Sequence, residues 1–279
     1  MKQTPNKFYS PIGIFDSGYG GLTVMKEIVK MLPQYDYLYL GDNARAPYGT
    51  RSFETVYEYT LQCVKKLCEH NCKLVILACN TASAKALRNI QQKDLPGLGS
   101  DKRVLGVIRP TSEIVGNFSK TKHIGVLGTS GTINSNSYPI EIAKFFPEIK
   151  VSQEACPMWV PLVENGEYNN PGADYFIEKN VDALLKKDEQ IDTIILGCTH
   201  YPLLSSKIQQ HLPAGIKLLS QGELVATSLK DYMLRHPEMD ANCSKNSKRE
   251  FLSTDASDNF DTAAGIFYGA PIKSKQIMI

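Results

Sequence analysis

Two cysteines stand in matching places in this chain. Cys79 follows the apolar run Leu74 to Ala78 and precedes the small polar residues Asn80 and Thr81. Cys198 follows Thr193 to Gly197 and precedes Thr199 and His200, 119 residues after the first cysteine. A short continuous apolar run reads as a strand of a buried parallel sheet. In open α/β sheets, ligands bind beyond the carboxyl ends of the strands. Both thiols are therefore expected where such folds do chemistry, facing each other across one site. A thiolate there can be a nucleophile, a metal ligand or a base, and a disulfide between the two is a fourth option. Nucleophilic catalysis needs only one cysteine. Two equivalent cysteines from two similar halves suit a near-symmetric reaction, in which a proton leaves one face of a carbon and another arrives on the opposite face. Spacing alone leads to two thiols, proton chemistry and a small ligand between domains.

Other candidates cluster around these strand ends. Asp16 closes a strand over 11–15 and opens the glycine-rich turn Asp16-Ser17-Gly18-Tyr19-Gly20-Gly21. This turn fails the dinucleotide fingerprint, because the sixth position counted from Gly18 is Thr23, and no phosphate-loop GK[ST] follows. Its glycines let backbone N–H groups approach a small anion, and Asp16 itself can cap the next helix. Glu164 closes the proline-broken segment from Cys156, and His200 lies two residues after Cys198. A lone histidine after a strand is usually a structural group, but this one shares a strand end with a candidate base. Trp159, the single tryptophan, reads as packing. Cys63, Cys68 and Cys72 lack zinc spacing and read as buried or incidental thiols.

Positioning these groups takes two α/β units. Strands are expected at 11–15, 36–40, 74–78 and 103–108, with helices at 22–32, 52–70 and 82–90 and a loop at 91–101. At 123 the pattern restarts. Ile124-Gly125-Val126-Leu127-Gly128-Thr129 echoes Ile12-Gly13-Ile14-Phe15-Asp16-Ser17 at a shift of 112 residues, while the cysteine strands recur at a shift of 119. This implies an internal duplication with an insertion between the repeated strands. Gly128 replaces Asp16 in the second copy, so that copy must find polar support elsewhere, with Glu164 and His200 as candidates. Helices are expected at 171–187, 202–211 and 223–233, a surface loop containing Cys243 at 234–248, a strand at 250–253, and a helix at 260–268 followed by a loose tail.

Composition narrows the function classes. Hydrophobic residues make up 42% of 279, enough for a large core. The net charge of +2, with no long basic stretch, argues against nucleic acid or a membrane surface as the main partner. No apolar run approaches the roughly 20 residues of a membrane span, and residues 1–10 lack the apolar core of a signal peptide. Seven cysteines at irregular spacing favour free thiols in a reducing compartment over a disulfide framework. No metal or nucleotide motif is recognised, and no lysine stands in a context that demands a pyridoxal Schiff base.

The segments FDSGYGG, GDNARAPYG, ACNTASA, GVIRP, GTSGTINS, CPMWVPLVE and LGCTHYPLL together resemble the glutamate racemases of the cofactor-independent aspartate/glutamate racemase group. The resemblance covers most of the chain from Ile12 to Leu204, and ACNTAS with GCTHYP is its specific part. It implies two similar α/β domains, each with a mostly parallel sheet flanked by helices, and an active site in the cleft between them. The first domain would take 1–108 and 217–279, the second 109–216. Cys79 and Cys198 would be the acid/base thiols, one on each face of the substrate Cα. Asp16 would support Cys79, and Glu164 with His200 would support Cys198. Asp16, Ser17, Tyr48, Gly49, Asn80, Thr81, Thr199 and His200 would hold the substrate, with Thr129 and Thr132 adding hydroxyls. The implied reaction interconverts L- and D-glutamate without cofactor or metal and supplies D-glutamate for peptidoglycan in a bacterial cytoplasm. The sequence leaves the oligomeric state open, with a homodimer among the options. The chain departs from the group at Ser220-Gln221-Gly222-Glu223, where many members read Asp-Ser-Gly-Glu. Aspartate racemases usually carry Glu after the second Cys-Thr, whereas His200 stands here. A periplasmic-type binding module and a one-thiol cysteine hydrolase are the rivals from other classes.

Overall fold

The structure is a computed structural model describing residues 9–279. Among the described residues the strands are, in chain order, β1 (Ile12–Asp16), β2 (Tyr37–Gly41), β3 (Leu74–Leu77), β4 (Arg103–Gly106), β5 (His123–Gly128), β6 (Lys150–Ala155), β7 (Thr193–Gly197), β8 (Lys217–Leu219), β9 (Arg249–Ser253) and β10 (Ser274–Gln276). They form two sheets of order β10-β9-β2-β1-β3-β4 and β6-β5-β7-β8, and every pairing is parallel. Every residue of β1, β2, β3 and β7 is buried, as strands covered by helices on both faces require.

The four-strand order β2-β1-β3-β4 reappears as β6-β5-β7-β8. Register repeats with it. Gly13 pairs with Val75 in one sheet, and Gly125 with Ile194 in the other. These positions are related by the same 112- and 119-residue shifts that the sequence echo carries. The inserted residues therefore fall between the repeated strands and leave their alignment intact. The first sheet differs by the added edge strands β9 and β10.

The long helices form as their sequences require. Phe53–Glu69 begins after Ser52, whose hydroxyl accepts the Thr55 N–H at 3.2 Å. Pro171–Lys187 has Pro at its first position and Asn170 as cap, accepting the Ala173 N–H at 3.0 Å. Gly21–Met31 buries Leu22, Val24, Met25 and Ile28, and packs against Gln221–Arg235. Trp159 is fully buried, 4.8 Å edge-on from Tyr201, with its indole N–H donating to Phe176 O.

Several expectations are corrected. The expected loop at 91–101 is a π-helical turn, Ile90–Asp94, followed by the helix Leu95–Leu98. The strand expected to reach 108 stops at Gly106, and Ile108 opens a helix. The expected surface loop 234–248 contains the helix Pro237–Asn242 and is tied down by Asp36, which accepts from the N–H groups of Asn246 and Lys248. Cys243 is therefore buried rather than at the surface. The tail carries β10 beside β9. β8 pairs with β7 and so lies in the second sheet, past the boundary expected at 216.

Candidate active site

The cleft between the two sheets is built at their strand ends. β1 and β3 are neighbours, with Phe15 opposite Leu77, so Asp16 and Cys79 emerge side by side. β5 and β7 are neighbours, with Gly128 opposite Gly197, so Thr129 and Cys198 do the same. Both cysteines are free and buried.

Cys79 is the N-cap of the helix Asn80–Lys85. Its Sγ accepts the Ala82 N–H at 3.4 Å and lies 3.5 Å from the Ser17 hydroxyl. Burial pushes its thiol up to about 12, assisted by the negative charge of Asp16 and only partly offset by Ser17 and the Ala82 N–H. Cys79 is thus a thiol at neutral pH.

Cys198 is surrounded differently. Its Sγ is 3.9 Å from His200 Nδ1, and His200 Nε2 is 3.0 Å from Glu164 Oε1. Burial works against a charged imidazole, but hydrogen bonding and attraction to Cys198 and Glu164 outweigh it and raise His200 to about 10. The ring is an imidazolium at neutral pH, and a positive neighbour of that kind stabilises a thiolate. The two halves of the cleft therefore hold one thiol beside a carboxylate and one sulfur beside a cation.

Asp16 joins the halves. It is fully buried; its Oδ2 accepts the Gly18 N–H at 2.9 Å and its Oδ1 the Thr199 hydroxyl at 3.3 Å. Burial raises its carboxyl above the usual range against the pull of His200 and these donors. The N-cap position of the following helix is Gly20, which offers no side chain, and Asp16 braces the turn that leads into the helix, with the Gly18 and Gly21 N–H groups helping to hold its carboxylate charged. Gly20 has a steric reason: a methyl group there would overlap the Thr199 hydroxyl and the His200 ring across the cleft.

The remaining expected residues lie on the same cleft. Thr81, Thr129 and Thr132 form a buried cluster, with the Thr81 and Thr129 hydroxyls 2.9 Å apart and those of Thr129 and Thr132 3.1 Å apart. Gly49 O accepts the Gly131 N–H at 2.7 Å, closing one sheet on the other, and a Cβ at Gly49 would sit 2.9 Å from Thr129 Cβ. Tyr48 turns away. Its hydroxyl donates to buried Asp42, and its ring tilts against Phe15, so its hydroxyl is committed to the scaffold.

Reading the sequence missed Tyr138 and assigned Gln221 no role. The two close a ring with Asn80. Gln221 Nε2 donates to the Tyr138 hydroxyl at 2.6 Å, which donates to Asn80 Oδ1 at 2.8 Å, and Asn80 Nδ2 donates to Gln221 Oε1 at 2.6 Å. Gln221 Nε2 also lies 3.1 Å from Val107 O and 3.1 Å from the Thr111 hydroxyl. The one signal was the departure at Ser220-Gln221. Tyr138, one of fourteen tyrosines, gave none.

Comparison with known proteins agrees with this geometry. The family described as Asp/Glu/Hydantoin racemase matches residues 12–229. A glutamate racemase of Sulfurihydrogenibium sp. is 40% identical over 269 residues, covering 96% of each chain. The crystal structure of glutamate racemase isoform RacE1 from Bacillus anthracis superposes with a TM-score of 0.88 at 34% identity, covering 98% of each chain. That of Francisella tularensis glutamate racemase in complex with D-glutamate gives 0.85 at 31% identity, covering 96% of this chain and 97% of that one. The paired strand-end thiols, the repeated sheet and these full-length similarities place the chain in the Asp/Glu/hydantoin racemase family, among its glutamate racemases.

Proposed function

We propose that the protein interconverts L- and D-glutamate by two-base proton transfer at Cα, with Cys79 and Cys198 on opposite faces. The observation that carries this reading is the pair of thiols at equivalent strand ends of two repeated sheets, each with its own polar support. In one direction Cys198, beside the His200–Glu164 pair, is the base and Cys79 is the acid; in the other direction the roles exchange. The Cys198 thiolate takes the Cα proton, the bond electrons pass to the carboxylate side, and the Cys79 thiol delivers a proton to the other face. The pair is then reversed, and either the reverse reaction or exchange with solvent resets it. Asp16 sustains the basicity of Cys79 when the assignment is swapped.

Binding falls to neutral donors. Ser17, Thr129, Thr132 and Thr199 offer hydroxyls, while Tyr48, Gly49, Asn80 and Thr81 offer backbone and amide groups. Fixed donors in a buried cleft stabilise the charge that develops as Cα loses its proton. His200 at the position where aspartate racemases usually have Glu favours the longer substrate. The reaction asks for no cofactor, and every catalytic group named comes from one chain. We divide the described chain into one unit of 9–108 with 220–279 and another of 109–219, a reading supported by the pairing of β8 with β7. Among the described residues no helix is long and apolar enough to cross a membrane. A cytoplasmic enzyme supplying D-glutamate for peptidoglycan is the setting this activity fits.

Circular dichroism on purified protein tests the proposal. L- and D-glutamate should each run to an equal mixture of enantiomers, and aspartate should turn over far more slowly. Faster racemisation of aspartate, or none of glutamate, would overturn the assignment.

A further inference from the structure

We infer that Gln221 is a positioning residue for proton transfer at Cys79, acting through the closed hydrogen-bond ring it forms with Tyr138 and Asn80. The inference rests on the assignment of Cys79 as an acid/base group. Three features carry it. The first is location. Asn80 directly follows Cys79 and begins the helix whose Ala82 N–H meets the Cys79 sulfur. Whatever fixes Asn80 fixes the turn that aims this thiol.

The second is polarity. Gln221 Nε2 donates to Tyr138, Tyr138 to Asn80, and Asn80 back to Gln221, so each member gives one hydrogen bond and takes one within the ring. Only one orientation of the Gln221 amide works. Turned over, it would set an N–H against Asn80 Nδ2 and an oxygen against Val107 O. Rings of this kind act as a unit, because each bond polarises the next. The third is reach. Asn80 belongs to the first sheet's unit, Tyr138 sits on the helix Ser137–Ala143 of the second, and Gln221 opens the helix that follows β8. All three side chains are buried. The ring closes only when the two units are together, so it ties the aim of Cys79 to the closed cleft. A shorter side chain at this position cannot span from Val107 O to Asn80 Nδ2.

Three variants test it: Gln221→Met, which keeps length but removes both polar ends; Tyr138→Phe, which deletes one hydroxyl; and the double variant. The kinetic readout is kcat against KM in both directions. The second readout is the rate at which iodoacetamide alkylates Cys79 and Cys198 at fixed pH, resolved by peptide mass. Each single variant should lose about tenfold or more in kcat with KM changed less than threefold. The double variant should be no worse than the poorer single, because breaking a ring twice costs little more than breaking it once. Cys79 alkylation should rise severalfold while that of Cys198 stays unchanged. A Gln221→Glu variant adds a pH readout. Ionised, it cannot donate to Tyr138, whereas protonated it recovers one donor, so its kcat relative to the parent protein should rise as pH falls. Unchanged kcat in folded Gln221→Met, or losses that simply add in the double variant, would overturn the inference. If Gln221→Met fails to fold, Tyr138→Phe and Gln221→Glu decide alone. Should the parent protein fail to racemise glutamate, the functional reading falls, and unaltered Cys79 alkylation in the variants would separately sink the ring.

Discussion

Cys79→Ser and Cys198→Ser should each abolish racemisation in both directions, with losses of about 1000-fold or more for a missing acid/base group. Inversion by proton transfer requires removal on one face and delivery on the other. A serine hydroxyl is a far poorer acceptor at neutral pH, so neither half can run in reverse once its thiol is gone. The variants should differ in a telling way. In Cys79→Ser the His200–Glu164 pair still supports a Cys198 thiolate, so proton abstraction on that face survives. Over times much longer than a parent turnover, the variant should slowly exchange the Cα hydrogen of one enantiomer, as the Cys198 thiol trades its proton with solvent over many abstractions, without forming the other. Cys198→Ser removes the sulfur beside the His200–Glu164 pair and should retain less of any such exchange. Both thiols are buried, and the exchange of sulfur for oxygen is nearly isosteric, so thermal unfolding should move little. Substantial racemisation by either variant would show that one thiol suffices.

Asp16→Asn should lower kcat about 10- to 100-fold while leaving the fold in place. The carboxylate is fully buried and accepts from Gly18 and Thr199, and asparagine keeps its shape and one acceptor. What asparagine removes is the charge. That charge raises the Cys79 thiol, so its loss lowers the pH at which Cys79 ionises and makes its thiolate a weaker base. Alkylation of Cys79 followed against pH should shift to lower pH in the variant, and turnover should fall. If Asp16 were only a brace for the glycine turn, its loss would cost about 0.5–2 kcal/mol, the range of a lost cap, and leave turnover per folded molecule intact. Denaturation curves beside initial rates separate the two outcomes.

The parts of this architecture that depend on apolar runs were legible in the sequence. β1, β2, β3 and β7 are buried on both faces and announce themselves as unbroken hydrophobic stretches. The edge strands β6 and β10 were not, although the edge strand β4 was. β6 reads Lys-Val-Ser-Gln-Glu-Ala and β10 reads Ser-Lys-Gln, because one side of each meets solvent and burial no longer dictates residue type. The burial of Cys243 was hidden for a related reason. The charged segment around it is held by long-range bonds to Asp36, which local composition cannot report. Asp16, Cys79, Cys198, Glu164 and His200 stood out because reactive residue types sat at strand ends and beside the duplication. Tyr138 and Gln221 did not, since a tyrosine and a glutamine become informative only when three distant segments meet.

The central claim is that protons are exchanged on two faces by two groups, and isotope uptake at early times in heavy water tests it most directly. Starting from either enantiomer, product should carry solvent deuterium at Cα while recovered substrate stays largely unlabelled, because the thiol that took the proton holds it inside the closed cleft. Product that retains the substrate's own hydrogen would mean that one group carries the proton from face to face, and would contradict the account.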